Sequence, residues 1–396
     1  MKLYICLLAL VASTMSSDSD ELLKQSNDQF TAKMFQKVVK LNPGKSMVMS
    51  AFSVLSPLAQ LALASEGDSH DEILRAIGLP NDTVTKQVFL DSNKELRSLS
   101  SVELKLANRV YVREGGELNP EYAAVSRDVF NSDVKNVDFA KNTEAAKEIN
   151  TWVEEATNKR IKDLVSADSL NADTAVVLVN AIYFKGKWVS QFSKEDTKDR
   201  DFSVSKDKTI SLPTMKQSAY FNYGESQELD AKLLEMPYEG DKSSLLIVLP
   251  NEIDGLDSLL NKLKDPAVLR KAVDSMYNAK VDVSMPKFKI ETKIDLADVL
   301  KKMSIEKLFT PGQARLDKLL KESQNLFVSG ATQKAYIDVN EEGAEAAAAN
   351  DVSLDDRAAF RSSIELVVDH PFVFMMLYNS KELNRTLNIF TGIFVT

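Results

Sequence analysis

Residues 340–363 read NEEGAEAAAANDVSLDDRAAFRSS, and the fold turns on how this stretch is read. Four alanines, Ala346 to Ala349, follow Glu-Gly-Ala-Glu, and a polar segment then ends in Asp355-Asp356-Arg357. Alanine is the best helix former, so the local reading is a short exposed helix. Side chains alternate across a strand, however, and residues 344–355 sort cleanly by parity. One face carries Ala344, Ala346, Ala348, Asn350, Val352 and Leu354; the other carries Glu345, Ala347, Ala349, Asp351, Ser353 and Asp355. The first is apolar except for Asn350, and the second is small or acidic, the pattern of a strand with one buried and one wet face. Yet Asn350-Asp351 and Asp355-Asp356 read as an exposed loop. A segment that is exposed at one time and a buried strand at another satisfies both readings.

The rest of the chain sets the frame. It has 396 residues, 44% hydrophobic and 27% charged, which is ordinary globular composition. A net charge of -9 argues against nucleic acid or an anionic membrane as the main partner, and disfavours a glycosaminoglycan cofactor. Met1-Lys2, an apolar run from Leu3 to Ala12, and Ser13, Thr14, Ser16 and Ser17 are the parts of a secretory signal peptide. The apolar run is too short to span a membrane. Cleavage is expected between 13 and 17, so segment 1–17 is read as the signal and 18–396 as the mature chain. The single cysteine, Cys6, lies in the signal, leaving a mature protein without thiol or disulfide. A chain this long does not need that staple. Sequons at Asn81-Asp82-Thr83 and Asn384-Arg385-Thr386 make Asn81 and Asn384 candidate glycosylation sites.

No repeat, low-complexity tract or linker divides the sequence, which therefore reads as one domain. Phe30, Met34, Phe35, Val38, Val39 and Leu41 recur at helical spacing, as do Leu55, Leu58, Ala59 and Ala62 behind Ser53, Ser56 and Pro57. An amphipathic stretch around Ile149–Val153 continues into Ile161. Strand signals follow. TAVVLVNAIYF (174–184) and SSLLIVLP (243–250) read as strands buried on both faces. KVDVSMPKFKIE (280–291) alternates, and PFVFMMLY and LNIFTGIFV close the chain as two more strands. Helices first and strands later, without βα alternation, give an α+β class with large sheets.

Catalysis has little support. The histidines are two, His70 and His370. There is no G-x-S-x-G elbow, H-E-x-x-H pair, cysteine-based metal set or phosphate loop. GDSHDE at 67–72 resembles a hydrolase nucleophile block only superficially, and a helix-start residue near Asp68 is the plainer reading of His70. Neither enzyme activity, a metal nor an organic cofactor is expected.

The sequence resembles the serpin family over nearly the whole mature chain. VNEEGAEAAAA (339–349) is similar to the hinge of inhibitory members, and NAIYFKGKW (180–188) to the family's central-strand signature. FSVLSPL (52–58), SHDEI (69–73), LANRVYV (106–112) and DHPFVF (369–374) fall in the family's order and spacing. Loop style and the lack of mature cysteines resemble arthropod secreted serpins, tick salivary ones included. The resemblance implies N-terminal helices, three β-sheets and an exposed reactive-centre loop, with hinge and loop at 341–363. It implies a monomeric suicide-substrate inhibitor of serine proteases whose loop, once cut, enters the main sheet as a strand. Hinge residues would be Glu342, Gly343, Ala344, Glu345, Ala346, Ala347, Ala348 and Ala349. Counting fourteen residues from Gly343, as the family does, places the scissile bond between Arg357 and Ala358, with Phe360 or Arg361 as alternatives. An arginine bait suits a trypsin-like pocket, while Asp355 and Asp356 disfavour a thrombin-like target. A chymotrypsin-like target would follow from Phe360.

The sheet-opening region implied by the resemblance comprises Ser53, Ser56, Asn180 and Gln333. Gln333 stands where the family usually has histidine; its amide can both donate to and accept from Asn180, without a titratable ring. Asn350 stands where threonine is usual, and burying its amide is costly unless it finds partners. A non-inhibitory serpin, acting in transport, storage or signalling, is the alternative function.

Overall fold

Helices occupy most of the first part of the chain, as the hydrophobic spacing predicts. In the computed structural model of the protein, residues 2–97, 102–240, 242–322, 324–342, 363–380 and 385–396 are described. The helices are α1 (Lys2–Leu41), α2 (Ala51–Ala64), α3 (Gly67–Ile77), α4 (Asp82–Arg97), α5 (Pro120–Phe130), α6 (Asn142–Ala156), α7 (Leu256–Lys262), α8 (Pro266–Asp274) and α9 (Leu296–Lys301). Helix α1 runs through the segment expected to be the signal and carries Phe30, Met34, Phe35 and Val38 into the core.

The strands are β1 (Met47–Met49), β2 (Val102–Arg113), β3 (Val134–Val137), β4 (Val176–Gly186), β5 (Lys198–Ser205), β6 (Lys208–Ser226), β7 (Ala231–Pro237), β8 (Ser243–Pro250), β9 (Tyr277–Pro286), β10 (Phe288–Asp295), β11 (Val328–Val339), β12 (Ile364–Val367), β13 (Phe372–Ser380) and β14 (Arg385–Phe394). A five-stranded sheet has the order β10-β11-β4-β2-β3. The other nine strands join through β6, whose 19 residues pair with β5 and β9 along one part and with β7 beyond it. The three sheets implied by the resemblance are therefore the five-stranded sheet, the β1-β14-β13-β8-β7 group and the smaller β5-β6-β9-β12 group, the last two continuous through β6.

Strand β4 is buried almost throughout, which explains its unbroken apolar composition. Val176, Leu178, Ile182 and Phe184 face the main core, which α1 and α2 also enter. Val177, Val179, Ala181 and Tyr183 face a second core, closed by Ile149 and Val153 of α6. The sheet centre is thus covered on both sides.

Two sequence expectations are corrected. The alternating stretch 280–291 is two strands in different sheets, because it divides after Pro286, which has no N–H for a ladder. Helix α6 does not reach Ile161. It stops at Ala156, and Asn158 and Lys159 adopt left-handed backbone angles (φ 51° and 61°) that turn the chain away. Ile161 is buried from a non-helical segment.

Gly392 lies where β14 passes between β1 and β13, paired with both Val48 and Phe374. A Cβ there would strike the Phe374 ring and come within 2.5 Å of the Met47 carbonyl oxygen. Overpacking of this kind costs about 1–3 kcal/mol. Gly392→Ala is expected to destabilise the protein by that amount in guanidinium unfolding; an unchanged midpoint would contradict the packing.

Candidate functional site

The centre of the five-stranded sheet is a parallel pair. β11 and β4 run side by side from Val328↔Val176 to Ile337↔Phe184. Each has an antiparallel neighbour on its other side, β10 for β11 and β2 for β4. Main-chain bonds between β11 and β4 are supplemented by a buried polar cluster at mid-strand.

That cluster is built on the start of α2. Ser50 caps the helix, its hydroxyl accepting from Ser53 N at 3.1 Å. Pro57, one turn later, has no N–H to give to the Ser53 carbonyl. Asn180 Nδ2 of β4 takes that acceptor instead, at 2.7 Å. The Ser53 hydroxyl donates back to Asn180 Oδ1 at 2.9 Å. Gln333 of β11, the register partner of Asn180, donates from Nε2 to Asn180 Oδ1 (2.7 Å) and Ser50 O (2.7 Å). Its Oε1 accepts from Ser50 N at 3.1 Å. Asn180 Nδ2 also reaches Asn108 Oδ1 on β2, at 2.5 Å. Ser50, Ser53, Asn180 and Gln333 are all buried, so the bonds among these four lack competition from bulk water. Three neighbouring strands and a helix N-terminus meet in one network, and sliding β11 away from β4 breaks it.

A second assembly sits where β11 ends. Trp188 Nε1 donates to Asn340 O at 2.8 Å, and Phe192 N donates to Glu341 O at 3.0 Å. The buried Glu341 carboxylate accepts from Thr197 Oγ1 at 2.9 Å and pairs with Lys287 Nζ at 3.0 Å. Burial pushes its carboxyl up, but hydrogen bonds from the backbone, Lys287 and Thr197 outweigh burial and hold it below its ordinary 4.5. Glu342 pairs with Lys194. The chain is therefore clasped at 340–342, immediately before the hinge glycine.

Of the residues singled out in the sequence, Ser53, Asn180 and Gln333 are brought together. Ser56 makes none of their hydrogen bonds; one turn further along α2, it lines a cavity that adjoins the cluster, shared with Ser53, Asn108, Phe89, Ser92 and Asn93. Asn81 is exposed just before α4 and caps it, Oδ1 accepting from Val84 N at 3.0 Å. Glu342 is placed by the clasp, whereas Gly343, Ala344 to Ala349, Arg357, Ala358, Phe360, Arg361 and Asn384 lie outside the described residues. His70 joins Asp82 (2.7 Å) and Asp71 (3.0 Å); burial opposes its protonation, but these carboxylates raise its pKa overall. The adjacent Ser69 hydroxyl donates to Ala314 O, so the GDSH block carries no activated nucleophile. His370 bridges Asp369 and Pro250 O, both at 2.7 Å. Ser50, Asn108 and the Glu341–Lys287 pair were missed in the sequence. Only the S-x-x-S start of α2, a capping pattern, and Asn108 within LANRVYV offered a signal.

The comparisons agree on one family. Residues 25–392 match Serpin (serine protease inhibitor). The chain is 56% identical over 376 residues to alaserpin of Manduca sexta, covering 94% of this chain and 96% of that protein. It is 52% identical over 399 residues to antitrypsin of Bombyx mori, covering all of both. Among solved structures it is similar to Serpin48 of the insect Tenebrio molitor, with TM-score 0.85 and 34% identity over 95% of this chain and 98% of that one. The chain belongs to the serpin family, and its arthropod resemblance is met by insect relatives.

Two outcomes follow from this geometry. Leaving one buried polar group unsatisfied costs about 1–3 kcal/mol. Gln333→Ala strands Ser50 N and removes a donor from Asn180, so the first unfolding transition of the intact protein is expected to fall by at least that much. A fall comparable to that of an exposed Gln→Ala change would contradict the cluster. For Glu341, a depressed folded-state pKa gives stability that is present above the ordinary 4.5 and lost as pH falls through the folded value. The thermal advantage of wild type over Glu341→Gln is expected at pH 7 and should vanish in acid below that value; a constant advantage would contradict the assignment.

Proposed function

We propose that this serpin is a secreted, monomeric suicide-substrate inhibitor of a trypsin-like serine protease. The observation that carries the reading is the parallel β4–β11 pair. The chain leaves β11 at the head of that pair and turns, so a segment coming back between the two strands runs antiparallel to both. A parallel contact, slightly weaker per residue, is exchanged for two antiparallel ones. Residues 344–355 carry the right faces: on insertion the mostly apolar even-numbered positions would meet the main core and the small or acidic odd-numbered ones the outer side. About a dozen ladder residues, each worth roughly 0.5–1.5 kcal/mol net, supply the driving force.

The far end of the loop explains why cleavage is needed. After residue 363 the chain enters β12, which pairs with β9 in the larger sheet. Laid along β4, residues 344–355 extend about 40 Å at 3.3 Å per residue. The seven residues 356–362 would have to run back toward β12 and reach about 25 Å at most. An uncut loop therefore resists full insertion, and a cut loop does not.

In the proposed reaction the protease serine attacks the Arg357 carbonyl. The Arg357–Ala358 amide breaks, Ala358 leaves as the new amino terminus carrying the proton, and Arg357 remains esterified to the serine. Insertion then draws the esterified protease along the sheet before water completes hydrolysis. All covalent chemistry belongs to the protease, so the chain is consumed rather than turning over as an enzyme, and no metal or organic cofactor enters. The Arg357 guanidinium suits a pocket closed by a carboxylate. Residues 1–17 are proposed to be removed on secretion, with Asn81 and Asn384 as glycan acceptors.

Incubation with trypsin is expected to give an SDS-stable complex and to release a fragment beginning at Ala358. Arg357→Ala removes one partner of a buried charge pair, so trapping should fall by about two orders of magnitude. Complete cleavage without any complex would contradict inhibition. A fragment beginning at Arg361 or Ser362 would move the bait to Phe360 or Arg361.

A further inference from the structure

A groove of about 410 Å3 lies at the head of β4 and β11, lined by Tyr183, Tyr336, Arg160, Lys185, Lys194 and Lys287, among others. The two tyrosine rings stand 5.5 Å apart. Two of the four cations are engaged in the clasp, Lys287 with Glu341 and Lys194 with Glu342. Among the described residues, Arg160 and Lys185 have neither an ion pair nor a side-chain hydrogen bond. Glu103 faces Lys185 across the β2–β4 ladder, but its carboxylate accepts from Asn158.

The register says what arrives there. The described chain leaves at Glu342, and Glu345 is three residues on. A strand returning antiparallel to β11 sets Ala344, Ala346 and Ala348 opposite either odd- or even-numbered residues of β11. Opposite Val339, Ile337 and Ala335, all essentially inaccessible, the alanine methyls enter the main core. The other phase would bury the Glu345 carboxylate in that core, at a prohibitive desolvation cost. In an inserted strand Glu345 would therefore come opposite Asp338 or Asn340, which line the groove. Tyr336 is aligned with Tyr183 in the β11–β4 register, which continues to Ile337↔Phe184, so Lys185 lies in the next row, beside Asp338. A carboxylate entering beside Asp338 meets a like charge and requires cations close by.

We propose that Lys185 and Arg160 form a receiving site for the Glu345 carboxylate, occupied only as the loop enters the sheet. The proposal rests on the inhibitor reading and adds positioning residues to it. The pair captures the first inserted residues and favours insertion over hydrolysis of the ester, without contributing to the intact state. In the absence of such a site, neutralising Glu345 would ease insertion by sparing a desolvated charge. With it, the same change hinders insertion.

The test compares wild type, Arg160→Gln/Lys185→Gln, Glu345→Gln and the combined variant. Readouts are the melting point of each intact protein, the stoichiometry of trypsin inhibition, and the thermal midpoint after nicking within 350–362, measured in a fixed guanidinium concentration. The intact melting points are expected to agree. The groove variant and Glu345→Gln are each expected to raise the stoichiometry about twofold or more and to lower the nicked midpoint, and the combination is expected to add nothing further. Glu345→Lys in a Lys185→Glu background should recover part of the loss. Unchanged stoichiometry, improved trapping by Glu345→Gln, or additive losses would overturn the receiving site alone. A wild-type protein that gains no thermal stability on nicking would remove insertion, and the site with it.

Discussion

Two buried side-chain amides hold the centre of this molecule shut. Gln333 on β11 and Asn180 on β4 meet at 2.7 Å, and both reach the N-terminus of α2. Parallel neighbours at the middle of a sheet are the weakest seam in a set of otherwise antiparallel contacts flanking it. The amides concentrate the resistance to opening at one place. Because they are desolvated and mutually satisfied, they are costly to disturb singly. Pro57 is part of this device, since the N–H it lacks is what leaves the Ser53 carbonyl for Asn180.

The clasp at 340–342 makes the seam directional. Glu341 is tied to Thr197 and Lys287, and the main chain at 340–341 to Trp188 and Phe192. The described chain up to Glu342 is therefore held at the head of the seam. Trp188 is itself stacked on Tyr238 at 4.2 Å, which fixes the donor that reads the Asn340 carbonyl. The start of the loop is thus anchored to the head of the seam and its end to β12 in the other sheet.

Much of this was legible in the sequence where the signal was local. The unbroken β-branched run at 174–184 became the doubly covered β4. Helical spacing found α2 and the second half of α1. What escaped was contact between distant segments. Lys287 and Glu341 are 54 residues apart, and Gln333 and Ser50 are 283 apart, separations over which periodicity carries nothing. Gln333 and Asn180 were reached through the family resemblance alone. Ser56, at i+3 from Ser53, lines the cavity beside the cluster without bonding into it, a distinction that helical spacing does not make. The stretch 280–291 looked continuous because alternation persists on both sides of Pro286, although the sheet changes there. Helix α6 ended early because Asn158 and Lys159 take backbone angles that amphipathicity does not encode.

The central claim is that the β4–β11 seam opens to admit residues 344–355, and the crystal structure of the protein nicked after Arg357 tests it most directly. Neighbouring strands lie about 4.8 Å apart, so a strand between them doubles the separation to roughly 9.6 Å. The account predicts that spacing between β4 and β11, with Ala344, Ala346 and Ala348 facing the main core and Asn180 no longer bonded to Gln333. A nicked structure in which Tyr336 still pairs with Tyr183, as in the intact chain, would contradict it.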